Sequence, residues 1–316
     1  MKKKYKGIDL FCGIGGFRLA MNSSQVECVF SSDNDKFAQQ TYEANFHEVP
    51  TGDIKAVDEK DIPKFDILTA GFPCQPFSSM GELKGFEDTR GTLFFRIVEL
   101  IQNQIERGHK PKALVLENVR NLKHHDKGKT FKVIKKTLMD LGYKVYDQVL
   151  NSSDYGVPQT RNRTFIVCFS NLETKFSYPE KTDLTLTLQD LLEHDVDKKY
   201  FLSDRILPTI LSNGTGGYKA KSEIDLKIAR PLCATMAKMH RACQDNYVTQ
   251  NGRVRRLTPR ECARLQGFSD DFIIPVSDTQ AYKQFGNAVT ANVSRAVALK
   301  VKEALIENGE WYEWVK

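Results

Sequence analysis

The sequence predicts an α/β protein with a mostly parallel sheet, followed by a smaller, loop-rich unit. Three observations predict this. Up to about residue 170, short apolar runs alternate with segments of helical spacing, the pattern of βαβ units. From residues 177–187 to about 260 the periodicity weakens, and it then turns helical again. The chain has 316 residues, 41% hydrophobic and 27% charged, enough for one large domain with a smaller one beside it.

Taken in order, the strand patterns fall at residues 5–11, 26–30, 65–70, 113–117, 144–150 and 164–169. Between them, 17–21, 36–45, 92–107 and 130–141 have the spacing of amphipathic helices. Strands that alternate with helices make a sheet covered on both faces, whose ligands gather at the strands' carboxyl ends. Residues 177–260 read as irregular, with Asn213-Gly214-Thr215-Gly216-Gly217 at their middle. Thr258-Pro259-Arg260-Glu261 then has the form of an N-cap with proline at the first helical position. A last helix is expected over about 289–306, packed back on the first domain.

Charge and cysteine content narrow the function classes. A formal net charge of +6 is compatible with a polyanionic partner without establishing one. The seven cysteines, at 12, 28, 74, 168, 233, 243 and 262, include no CxxC pair, so neither a zinc site nor a redox motif is expected. An odd, scattered set fits a reducing compartment. The basic N-terminus leads into a strand, and no apolar stretch approaches the roughly 20 residues of a membrane span, so a soluble intracellular protein is expected.

Four motifs carry chemistry. Asp9-Leu10-Phe11-Cys12-Gly13-Ile14-Gly15-Gly16-Phe17 ends the first strand with glycines that let the backbone turn against a ligand. Arg18 stands where a dinucleotide fingerprint would have its third glycine. Asp33, after the second strand, can take ribose hydroxyls, and Asp53 can take an adenine amino group. The motif is therefore either a structural glycine turn or a nucleoside loop. In Gly71-Phe72-Pro73-Cys74-Gln75-Pro76-Phe77-Ser78, prolines hold a cysteine in a rigid turn at a strand end. An arbitrary cysteine is usually a small buried hydrophobe. The flanking residues favour a positioned nucleophile instead. Glu117, in Glu117-Asn118-Val119, puts a carboxylate at the end of an apolar strand, which is costly without a partner or a task. Arg161 and Arg163, two apart in Gln159-Thr160-Arg161-Asn162-Arg163, would share a strand face, for gripping anions or for a structural ion pair.

In this order, and with Arg260-Glu261-Cys262-Ala263-Arg264-Leu265 and Gly286-Asn287-Ala288-Val289 after them, the motifs resemble the cytosine-C5 DNA methyltransferases of bacterial restriction–modification systems. The resemblance covers nearly the whole chain. It implies a Rossmann-like, S-adenosylmethionine-dependent methyltransferase sheet over 1–176, completed by a C-terminal helix within 287–316. Residues 177–286 would be a small target-recognition domain and hinge. The catalytic set it implies is Cys74 as nucleophile toward cytosine C6, Glu117 at the N3 edge, Arg163 steadying Glu117 and the ring carbonyl, and Arg161 nearby. S-adenosylmethionine, leaving as S-adenosylhomocysteine, would lie on Gly13, Gly15 and Gly16, with Phe11 on the adenine face and Asp33 on the ribose. Asp53 and Ile54 would meet the adenine edge, Phe72, Pro73 and Leu93 would line the pocket, and Asn287 and Val289 would stand near the methionine end. Asn34 replaces the large apolar residue common in the family, which implies a looser adenine sandwich. No metal is expected.

The resemblance further implies a flipped-out target base in double-stranded DNA, with 78–91 closing behind it and Gly81, Gly85 and Gly91 giving flexibility. The residues expected at the DNA are Gln75, Ser78, Asn213, Gly216, Gly217, Tyr218 and Thr235. Readout would be in the major groove of a short specific site. A monomer in the bacterial cytoplasm, with a cognate endonuclease encoded nearby, would suit the family. The rival readings are a tRNA cytosine methyltransferase, whose usual Pro-Pro-Cys and Cys-Phe-Thr signatures this chain lacks, and an inactive DNA-binding relative.

Overall fold

The computed structural model describes residues 5–73, 93–213 and 221–311. Cys74, Gln75, Ser78, Gly81, Gly85 and Gly91, and likewise Gly216, Gly217 and Tyr218, lie outside the described residues. Six strands form the central sheet: β1 (Lys6–Leu10), β2 (Glu27–Ser32), β3 (Ile67–Gly71), β4 (Ala113–Val119), β5 (Lys144–Asn151) and β6 (Asn162–Phe169), in the order β2-β1-β3-β4-β6-β5. The β1–β2, β1–β3 and β3–β4 pairs are parallel, and β6 runs antiparallel to both neighbours. The mostly parallel sheet expected from the alternation is therefore present. After β2 the chain crosses back over β1 to β3, so a crevice opens at the carboxyl ends of β1 and β3.

Side-chain alternation explains why the strands read as continuous apolar runs. Along β4, Leu114 and Leu116 pack on one face with Ile8, Leu10 and Leu68, under Phe94, Ile97 and Ile101 of α3 (Leu93–Glu106) and Ile134 and Leu138 of α4 (Lys129–Asp140). Ala113 and Val115 face the other way, with Phe165 and Val167, under Phe17 and Met21 of α1 (Gly16–Ser24) and Val293, Val297 and Val301 of a C-terminal helix, Ala291–Glu307. Both faces are buried, so no polar alternation survives in the sequence. Each buried Leu, Ile, Val, Phe or Met here contributes roughly 1.5–3 kcal/mol by leaving water.

Two expectations are corrected. β4 continues through Val119, so Glu117 and Asn118 lie within the strand: Glu117 pairs with Gly71 on one side and Phe165 on the other. The stretch read as irregular also contains an antiparallel hairpin, β7 (Tyr247–Gln250) and β8 (Arg253–Arg256). Asn251 and Gly252 turn it with φ of 51° and 72°, the geometry that asparagine–glycine favours in a two-residue hairpin loop. That dipeptide was the overlooked signal.

The remaining α-helices among the described residues are α2 (Lys36–Phe46), the single turn α5 (Leu207–Ile210), α6 (Pro259–Leu265), α7 (Asp278–Asn287) and the C-terminal helix, α8 (Ala291–Glu307). The expected cap of α6 is present as a capping box: Thr258 accepts from the Glu261 backbone N–H, and the Glu261 carboxylate accepts from that of Thr258. Ile14 and Ala38 share one apolar cluster with Leu232, Val248, Leu265 and Phe285, so the sheet domain and the chain beyond 177 have a common core. No helix among the described residues is long and apolar enough to cross a membrane.

Candidate active site

A cleft of about 730 Å³ opens at the carboxyl ends of β1–β4. Phe11–Ile14, Ser32–Asp35, Gly71–Pro73 and Glu117–Val119 line it from four successive strand ends, and Gly286–Val289 closes it from the α7–α8 connection. The glycine turn after β1 is left-handed at Phe11, Gly13 and Gly15, with φ of 54°, 53° and 90°. A bulky residue at positive φ is strained and is held there by its surroundings. Gly16 is required for contact: a Cβ there would stand 2.4 Å from the Val289 carbonyl oxygen. The turn is therefore pressed against the segment that carries Asn287.

Asp33 closes the glycine turn from the side. One carboxylate oxygen accepts the Gly13 N–H at 2.8 Å and the other that of Asp35 at 2.8 Å. Burial raises its pKa, while those two N–H groups hold it down. Phe11, Ile54, Phe72 and Leu93 supply apolar walls, and Asn34 and Asp53 stand exposed at the rim. Asp53 also caps a short turn by accepting from the Lys55 backbone N–H. Lys283, paired with Asp35 at 2.6 Å, lines the cleft too, although its sequence context carries no signal for it.

Deeper in the cleft, Arg163 Nε lies 3.1 Å from a Glu117 carboxylate oxygen. Burial pushes the Glu117 pKa up, and Arg163 first and Arg161 second pull it down. Gly71 packs closely against Val289: a Cβ there would stand 3.2 Å from the Val289 side chain, and in ordinary contact, at 3.7 Å, with the Glu117 carboxylate. Asn118 donates to the Phe72 carbonyl at 2.8 Å, which fixes the backbone two residues before Cys74. No role for Asn118 was read from the sequence, and only the strand pairing discloses one.

Arg161 departs from expectation. It precedes β6, is 1% exposed, and grips backbone instead of a carboxylate or phosphate: its guanidinium donates to the carbonyls of Leu232, Gly286 and Ala288 at 2.9–3.0 Å. Burial and the charge of Arg163 lower its pKa to about 9. It borders the cleft as a clamp between the base of β6, the segment leading to Thr235 and the connection carrying Asn287. Thr235 is exposed, its hydroxyl 3.7 Å from Cys233 Sγ, and Asn213 is exposed, accepting from the Ser222 N–H. Neither lines the cleft. Burial raises the thiol pKa values of Cys12, Cys28, Cys168 and Cys262, which makes them poor nucleophiles.

A family model for C-5 cytosine-specific DNA methylases matches residues 5–303. The chain belongs to that family. As a C5 methylase it is a DNA (cytosine-5-)-methyltransferase, and its curated relatives are Type II methyltransferases. It is 46% identical over 317 residues to M.SsoII of Shigella sonnei, covering 96% of this chain and 81% of that one. It is 42% identical over 316 residues to M.HhaI of Haemophilus parahaemolyticus, covering 94% of each. Among solved structures, the S. pombe Dnmt2 methyltransferase superposes with a TM-score of 0.76 at 19% identity, over 97% of this chain and 99% of that one. That likeness carries the fold. The strand-end motifs and the Gly286–Val289 segment thus meet at one cleft, whereas Arg264, of the Arg260–Leu265 motif, lines a second opening of about 790 Å³ beside its ion pair with Asp270.

Proposed function

We propose that this methylase transfers a methyl group from S-adenosylmethionine to C5 of a cytosine flipped out of a short specific site in duplex DNA, through a covalent bond between Cys74 and C6. One observation carries the reading: the Glu117–Arg163 pair and the glycine turn with Asp33 open into the same cleft. The cleft's residues suit the cofactor. The turn lacks the third glycine of a dinucleotide fingerprint, Arg18 standing in its place. Asp33 offers acceptor oxygens for a ribose, Phe11 and Ile54 offer apolar surface for a purine, and Asn287 and Val289 line the cleft too. When bound, S-adenosylmethionine supplies an electrophilic methyl group.

The protein's own side chains supply the rest. C5 of cytosine is a poor nucleophile until C6 has taken up a thiolate, and a positioned cysteine does this well. The Cys74 sulfur bonds to C6 as Glu117, kept protonated more readily by its burial, donates at N3 and relieves the charge that develops on the ring. Arg163 holds that carboxyl in place and offers its remaining N–H groups to the ring carbonyl. After methyl transfer a base from solvent takes the C5 proton as the C6–S bond breaks and the Cys74 thiolate leaves. N3 returns its proton to Glu117, restoring the ring and the enzyme. Removing the base from the stack costs a few kcal/mol and is a precondition of this geometry. In the cell the reaction would protect DNA from a cognate nuclease.

The test combines purified protein, methyl-labelled S-adenosylmethionine, mixed-sequence duplex DNA and bulk tRNA, with base-resolution mapping of 5-methylcytosine. Label at one cytosine of a short recurring DNA site is expected, and Cys74→Ser should abolish turnover while leaving DNA binding largely intact. Label confined to tRNA, or turnover by the serine variant, would overturn the proposal.

A further inference from the structure

The chain leaves β4 at Val119, on the cleft wall, and runs through two short turns into α4. In residues 120–132 it carries Arg120, Lys123, Lys127, Lys129 and Lys132 against a single carboxylate, Asp126. Lys123 is paired with Asp147 at 2.6 Å. Further along α4, Lys135 shares Asp147 and Lys136 pairs with Asp140. Arg120, Lys127, Lys129 and Lys132 are different: all are exposed, and none has an ion-pair or hydrogen-bond partner among the described residues. Lys123, Lys135 and Lys136 are thus neutralised, while these four cations are left exposed and unpaired among the described residues.

Local stability does not account for this arrangement. The first turn of α4 contains no acidic residue, and Lys129 and Lys132 stand at the end of the helix where its dipole disfavours cations. Lys127 is held at φ 52° between Asp126 at 47° and Gly128 at 83°, so the connection is compact and projects its lysine outward from a left-handed turn. Because a crossover helix begins at the carboxyl end of the strand before it, the whole group lies on the side of the sheet where the cleft opens.

We propose that Arg120, Lys127, Lys129 and Lys132 form a ridge that binds the phosphate backbone of duplex DNA flanking the target base. This rests on the DNA-methylating reading of the cleft. It assigns sequence-independent affinity to the sheet domain, separate from the base-reading segment. Phosphate is the fitting partner because unpaired, hydrated lysines on an exposed surface gain most by displacing counterions from a polyanion. The cost is low, since no cation there must first leave a carboxylate.

The experiment measures binding of a fluorescent random-sequence duplex between 50 and 200 mM salt for three proteins. These are the wild type, Lys127→Asn/Lys129→Ala/Lys132→Ala, and a control of equal charge change at the opposite end of the sheet, Lys64→Ala/Lys112→Ala/Lys175→Ala. Asparagine is used at 127 because it tolerates positive φ. The ridge variant should lose about 2 to 3 from the magnitude of the slope of log K against log[salt], at about 0.9 per phosphate contact removed, and the control should keep the wild-type slope. A ridge variant with the wild-type slope, or a control that loses as much, would overturn the ridge while leaving the methylase reading intact. No duplex binding by the wild type at any salt would overturn both.

Discussion

At the scale of single residues, burial sets the charges that the site uses. Glu117 is 8% exposed, its pKa raised by burial and restrained by Arg163 and Arg161. If Glu117 donates a proton, the single-turnover methylation rate falls as pH rises through its pKa. Arg163→Met removes the leading restraint, so the descending limb of the pH–rate profile should move to higher pH. Glu117→Gln should erase that limb and slow the reaction by about 10² to 10⁴. A limb unmoved in the arginine variant would sink the assignment. Asp9 shows a different use of the same physics. It is fully buried on β1, with one oxygen on the Thr69 hydroxyl at 2.8 Å and the other without a hydrogen-bond partner among the described residues, and burial raises its pKa to about 7. A carboxyl whose pKa is raised on folding contributes stability that is complete below its unfolded value, about 4, and is lost as pH rises toward 7. Asp9→Asn should remove that part of the pH dependence of unfolding in urea, and an unchanged dependence between pH 4 and 8 would count against it.

At the scale of elements, α6 shows how one side chain fixes several segments. Glu261 caps the helix through the Thr258 N–H, accepts the Glu193 N–H at 2.9 Å, and binds Arg255 of β8 through both oxygens at 2.6 and 2.8 Å. Arg255 and Glu261 are both wholly buried. Breaking such a pair leaves an unmatched charge in the core, so Glu261→Ala should cost about 3–5 kcal/mol in chemical denaturation. Thr258→Ala removes a cap and should cost about 1 kcal/mol. Replacing both members of the pair by apolar residues should cost less than either single change. Equal losses for the threonine and glutamate variants would show that the ion pair adds nothing beyond the cap.

At the scale of the whole molecule, Arg161 and its neighbours join the segment leading to Thr235 to the connection that carries Asn287. Its three carbonyl partners sit on the segment leading to Thr235 and on either side of Asn287. Gly286 reinforces the joint, because a Cβ there would fall 2.3 Å from the Ala234 backbone nitrogen. Gln159 spans the same boundary, donating to the Leu265 carbonyl and accepting from the Leu232 N–H. Arg161→Ala orphans three buried carbonyls at about 1–3 kcal/mol each. Affinity for S-adenosylhomocysteine without DNA should then fall together with kcat on a cognate duplex, and Arg161→Lys should restore part of both. Loss of stability with cofactor affinity and kcat unchanged would reduce Arg161 to a purely structural clamp.

The sequence by itself determined the sheet, because six apolar runs with helices between them have few ways to bury both faces. It also determined the motif positions, since glycines and charged residues at strand ends are legible one strand at a time. The contact of Arg163 with Glu117 was implied only by the family resemblance, and tertiary structure alone decided that Arg161, two residues earlier, turns away to hold three backbone carbonyls of two distant segments. It likewise decided that Asn118 donates to the Phe72 carbonyl, and which cations after β4 find partners. Local spacing states what a side chain can do. Which partner it finds depends on contacts across more than a hundred residues of chain, as between Arg161 and Gly286, and no local pattern records these.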